Sequence, residues 1–260
     1  MNPGPEAFKL GQVFRRMDLM PVLLLLVLGL PVAGGAAMLV FVMVQVRREC
    51  RMIMQFPDGD SGNLPEWLEP TRPARWLAVR VNDVAEVQNA FRMRDPEPCS
   101  FHDGVTGEKS LFLAVVPNGW TLITGLRVPD PEDDVDAFFR FLMEASRKLG
   151  HIQYFSANPF QHHHAWIKAE HGSVLRAYAW AGSTLWNQGP MTEAERDLGL
   201  ECLDYGDHPG RNGAELQEIA SVNVEKVHLL AARWSFDPGA AALRQQAKSQ
   251  GVAGEASFRA

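Results

Sequence analysis

Three consecutive histidines, His162, His163 and His164, form the most chemically suggestive run in the sequence. On a strand, His162 and His164 would point to one face and His163 to the other, because successive side chains alternate. Two imidazoles so placed can share a metal ion, and zinc needs at least one more protein ligand. His151, Glu170, His171 and Asp204 have suitable donor types. No HExxH, paired CxxC or calcium-loop spacing accompanies them. The competing reading is structural: a polar strand start, or imidazoles stacked on Trp166. A metal-dependent hydrolase built on the His162–His164 strand is therefore an alternative, and no cofactor is expected.

Nucleophilic chemistry has less to stand on. Ser156, Ser183 and Cys202 lack the GxSxG setting of a nucleophile elbow. Neither GxxxxGK[ST] nor GxGxxG occurs, so no phosphate-cradling loop is expected. Asp133 and Asp134 suit a helix start better than acid–base catalysis. No catalytic residue is assigned.

Aromatic residues carry the binding expectation. Trp120, Trp166, Tyr178, Trp180 and Trp186 fall close together, with Lys168 and Arg176 among them. On a strand over 174–180, Arg176, Tyr178 and Trp180 share one face. With Trp166, Trp186 and Asn187 they would form a binding platform, since Trp, Tyr and Arg dominate interface hot spots. The alternative is that these aromatics fill the core.

The elements that must position these residues read as follows. WLAVRV (76–81) is strand-like, and Asp83 with Glu86 opens a helix to about residue 93. Residues 94–107 read as a loop, with a brief strand over 99–102. SLFLAVVP and WTLITGL flank Asn118–Gly119, a hairpin signal. A helix spans 130–150, with Asp130 as N-cap, Pro131 behind it and Gly150 at its end. Strands follow at 151–157, 163–168 and 174–180. Thr192 and Glu195 form a capping box. Residues 205–213 read as flexible, and a helix covers 223–234. The predicted fold class is α+β: a largely antiparallel sheet with helices packed on one face. The soluble domain is placed at 76–238, with a frayed tail over 239–260.

Ahead of the domain, a tail (1–20) precedes an apolar stretch, 21–46, of 26 residues without a charge. A bilayer core of about 30 Å needs about 20 helical residues, so this stretch predicts a single transmembrane helix and an uncleaved signal-anchor. Pro31 predicts a kink. Gly29, Ala33 and Ala37 recur at four-residue spacing, which lets two membrane helices approach and suggests a homo-oligomer. Residues 47–75 read as a juxtamembrane segment and Pro-rich linker. Three basic residues flank each side of the span, so orientation leans only on the nearer Arg47, Arg48 and Arg51, toward a cytoplasmic domain.

The chain carries a net charge of −6; residues 1–55 hold six basic and three acidic side chains, which leaves −9 on the rest. Phosphate affinity rests on Lys and Arg, so nucleic acid is not an expected partner. The three cysteines, Cys50, Cys99 and Cys202, are too sparse for a disulfide scaffold, with one Cys99–Cys202 bridge the sole option considered. The leading expectation is a membrane-anchored, non-catalytic interaction domain, an accessory subunit of a membrane complex, with the bilayer and a protein as partners. An acidic immunity-type protein that neutralises a toxin is the variant within the same class.

Overall fold

The computed structural model describes residues 72–106, 108–116, 119–206, 210–240 and 251–256. The chain divides between Gly62 and Asn63, and every described residue lies in the second unit. The expected membrane span, its packing residues Gly29, Ala33 and Ala37, and Cys50 lie outside the described residues. No described helix is long and apolar enough to cross a membrane.

Strand β1 (Arg75–Val79) shows why the domain has three layers. Trp76 and Ala78 point to one face, Leu77 and Val79 to the other, and all four are buried. A strand apolar on both sides needs cover on both sides. The same holds for β3 (Leu111–Val116), which reads LFLAVV and pairs with β4 (Trp120–Thr124). The other strands are β2 (Arg94–Cys99), β5 (His151–Asn158), β6 (His163–Glu170), β7 (Ser173–Trp180), β8 (Thr184–Gln188) and β9 (Gly251–Glu255). They make one nine-stranded sheet in the order β2-β9-β3-β4-β1-β5-β6-β7-β8, with every pairing antiparallel.

Helices cover both faces, which corrects the expectation of a single helical face. On one side α1 (Val84–Ala90) and α3 (Val135–Leu149) set Val87, Phe138, Leu142 and Met143 against Leu77, Ile123, Tyr154 and Ile167. On the other, α2 (Phe101–Val105) and α5 (Gly213–Trp234) set Phe101, Val227, Leu230 and Ala231 against Trp76, Phe112, Phe155 and Tyr178. The short α4 (Glu193–Asp197) joins β8 to this second layer. Each helix starts on a side-chain cap that satisfies a free backbone donor: Asp83, Ser100, Asp134, Thr192 and Asn212.

Five local expectations change. The brief strand expected over 99–102 is instead the end of β2 at Cys99 and, behind the cap Ser100, the start of α2. The cap of α3 is Asp134, not Asp130; the Asp130 carboxylate instead accepts from Tyr154 Oη at 3.1 Å and Ser156 Oγ at 2.9 Å. Residues 94–99, expected mostly as loop, pair with β9 despite Pro96 and Pro98, because β2 is an edge strand where missing donors are tolerated. Helix α5 begins at Gly213, ten residues before the predicted start, since Asn212 caps it through Glu215 N. Within the stretch expected to fray, Gly251–Glu255 is a strand between β2 and β3. Its glycines are needed there: a Cβ on Gly251 would meet the Phe112 ring at 2.4 Å, and one on Gly254 the Arg94 carbonyl at 2.6 Å.

Candidate functional site

The densest polar constellation sits where α4 and the 198–203 segment meet β7, and its centre is a buried ion pair. Strand β7 directs Arg176 into the α5 layer, opposite Lys168 of β6. The capping box of α4 brings in Glu195, whose Oε2 accepts from Thr192 N at 2.6 Å. Its other oxygen, Oε1, accepts from Arg176 Nε at 2.8 Å and from Trp166 Nε1 at 2.7 Å. Both charged side chains are essentially without solvent exposure. Arg176 Nη1 donates to Asn187 Oδ1 at 2.8 Å and to the carbonyls of Gln188 and Gly189, and Nη2 donates to Cys202 Sγ at 2.9 Å. A buried charge costs several kcal/mol unless it is paired and its remaining hydrogens are bonded, and here both conditions are met.

The neighbours are held in their neutral forms. Burial pushes the Cys202 thiol up to about 12, with Arg176 opposing the shift, so Cys202 is a protonated thiol and a poor nucleophile at neutral pH. Burial likewise raises Tyr178 to about 12; its hydroxyl accepts from Leu203 N at 3.0 Å. Cys99 is raised by burial as well, and both described thiols are free.

The histidine run divides. His162 precedes β6 with a φ of 56°, so strand alternation does not extend to it. His164 is buried and stacks on Trp166 at 5.4 Å and 14°. Its Nδ1 lies 3.1 Å from the His162 carbonyl and its Nε2 3.3 Å from Asn223 Nδ2. Asn223 is itself fixed by the backbone of Glu201. His163 faces the other layer, its Nδ1 2.8 Å from Glu132 Oε2. Among the described residues no group of three or more His, Cys, Asp or Glu side chains is placed to hold a metal.

Burial lowers His164 to about 3, and that sets a pH dependence. The unfolded chain protonates this ring below about 6.5, whereas the folded chain resists until about pH 3. The unfolded state therefore binds more protons in that window. The stability from a neutral His164 is complete above pH 6.5 and is lost as pH falls toward 3. His164→Phe is expected to flatten the decline of Tm across this window, measured by thermal melts from pH 7 to pH 4. An unchanged slope would show that the ring is not neutral in the folded protein.

The aromatic residues predicted as a platform are brought together but not exposed. Arg176, Tyr178 and Trp180 share a face, as expected, together with Trp166, and all four are buried under α5 and the 198–203 segment. Trp186 points to the opposite layer, 5.5 Å from Phe139. Asn187 is half-buried at the β8 edge, where Tyr205 Oη accepts from its backbone N at 2.7 Å. These side chains therefore form the domain's interior. Glu195 was visible only as half of a capping box, because its ion pair joins residues 19 apart.

Local pattern likewise carries no sign of an acidic cleft of about 420 Å³ that β2 and β9 line together with Asp103 and the 109–110 segment. Asp95, Glu97, Asp103 and Glu255 line it, with Lys109 opposing them and Cys99 in its wall. It depends on β9, which comes from the stretch expected to fray.

No known protein family matches this chain, and no curated protein or solved structure is significantly similar to it.

Proposed function

We propose that this chain is a single-pass membrane protein whose α+β domain is a binding domain for another protein, acting as an accessory subunit of a membrane complex. The observation that carries this reading is the stretch 21–46, uncharged over 26 residues and followed by a linker and then a folded domain. The domain's own chemistry supports it. Arg176, Glu195 and Trp166 spend their polar atoms on one another and on residues 187–202, and His164 bonds the His162 carbonyl and Asn223, which makes them a framework for the surface. The net charge of −9 beyond residue 55 favours a partner with a basic face.

Extraction of native membranes in a mild detergent, with affinity capture of the full chain, tests the proposal. A stoichiometric protein partner that dissociates as salt is raised is the expected result. A chain that runs alone after gentle extraction would count against it.

A further inference from the structure

The outer edge of a sheet is a row of free backbone donors and acceptors that a second chain can extend. Among the described residues no strand pairs with the outer side of β2 or of β8. Strand β2 (RDPEPC) is blunted by its own sequence. Pro96 and Pro98 have no N–H to offer, and Arg94, Asp95 and Glu97 are charged. An extra residue between Arg94 and Glu97 also bends the strand, with Asp95 at a φ of 49°. Strand β8 (TLWNQ) has neither proline nor charge. Its one built-in defence is Leu185, which bulges between the Thr184–Trp180 and Trp186–Ala179 pairs. That leaves 186–188 regular, with Asn187 at its centre.

Asn187 turns its backbone groups away from β7. Its N–H donates to Tyr205 Oη at 2.7 Å, and its carbonyl accepts from the same hydroxyl at 3.4 Å. A phenol has one O–H and free lone pairs, so this single group occupies both the donor and the acceptor that a neighbouring strand would use. The Tyr205 side chain is 57% exposed, so core filling does not account for its position. The backbone leading to it is pinned across β7 and β8. Leu203 N donates to Tyr178 Oη at 3.0 Å, and the Leu203 carbonyl accepts from Thr184 Oγ1 at 2.8 Å and from Asn187 Nδ2 at 3.4 Å.

We infer that Tyr205 guards the β8 edge: its hydroxyl stands in for a further strand and keeps two copies of this chain from joining their sheets through β8. A second copy is the occupant that the guard excludes. Two β8 strands carry no charge, so pairing them antiparallel across a two-fold axis brings no like charges together. Pairing β8 with β2 of another copy would instead meet Pro96 and Pro98. An unguarded β8 therefore closes into a dimer and does not propagate a fibre. This role of Tyr205 is independent of the membrane-anchor reading of residues 21–46.

The full chain in a mild detergent tests this, as the parent, as Tyr205→Phe, and as Tyr205→Phe combined with Leu185→Lys. Tyr205→Phe keeps the ring and removes only the hydroxyl. At low protein concentration the Asn187 amide is expected to exchange with deuterium about fivefold to tenfold faster than in the parent, the equivalent of one lost hydrogen bond. As concentration is raised, light scattering is expected to show a mass climbing toward twice the parent value, while the Asn187 amide regains protection. The double variant, with a charge placed on the edge, is expected to keep the parent mass at every concentration. A Tyr205→Phe chain with the parent mass throughout, or with parent exchange at Asn187, overturns the inference. So does association that persists in the double variant, since it then runs through another surface or through misfolding.

Discussion

Glu195→Ala is expected to cost about 3–5 kcal/mol of domain stability, because it leaves the Arg176 guanidinium buried without its counter-charge. In a domain of this size that lowers Tm by roughly 6–20 °C. The same change removes the acceptor of Trp166 Nε1 and half of the α4 capping box. Calorimetry or a circular-dichroism melt of the purified chain reads the effect. A double replacement, Arg176→Met with Glu195→Leu, is expected to recover much of the loss, since apolar residues of similar volume avoid the desolvation penalty. If the single variant melts with the parent, the ion pair is not what holds the 190–203 segment on the sheet. If the double variant is no better than the single, packing and not charge dominates the site.

The second large effect is expected at the other side of the sheet. Truncation after Ala240 removes β9, the strand that joins β2 to β3. Each lost ladder bond is worth about 1 kcal/mol net, so the ladders on both sides of β9 sum to roughly 5 kcal/mol. The truncation also uncovers the β3 edge at Phe112 and Leu113, an apolar strand of the kind that pairs with other chains. The truncated chain is expected to aggregate on expression, whereas removal of 257–260 alone leaves melting unchanged. Gly251→Val tests the same point with one residue, since its side chain has no room beside the Phe112 ring. A truncated chain that stays monomeric with the parent Tm would mean that β9 is dispensable.

Sequence pattern was informative where the physics is local. The cap at Asp83, the box at Thr192 and Glu195, the apolar stripe of α3 and the strands around Tyr154, Trp166 and Tyr178 all follow from near-neighbour rules. At 130–134 four acidic side chains compete for one cap; Asp130 is the natural choice beside Pro131, yet Tyr154 and Ser156 claim its carboxylate. Those partners lie more than 20 residues away and no local rule identifies them. The second helical layer does have a signal in the sequence. LFLAVV at 111–116 does not alternate, and a strand apolar on both sides implies two covers. The strand GVAGE had none, since its glycines make sense only against Phe112 and the Arg94 carbonyl.

The candidate site divides the same way. Composition drew attention to Arg176, Tyr178, Trp180 and Trp166, and the structure does gather them. Whether a gathered aromatic cluster faces solvent or a helix is set by what lands on it. Here that is α4 and the 198–203 segment over β7 and, over β5 and β6, α5, whose first ten residues lie outside the predicted helix. An interior of this kind holds the domain's surface in shape; the proposal of a tethered binding domain rests on the apolar stretch at 21–46.

That stretch is also where the account is most directly tested. Membranes from cells expressing the full chain are washed with alkaline carbonate, which strips peripheral proteins and leaves integral ones. The chain is expected to stay with the membrane pellet, and Val32→Arg with Ala36→Arg in the middle of the stretch is expected to release it, since each charge at a helix centre costs about 3 kcal/mol on insertion scales. Recovery of the unmodified chain in the supernatant would contradict the account.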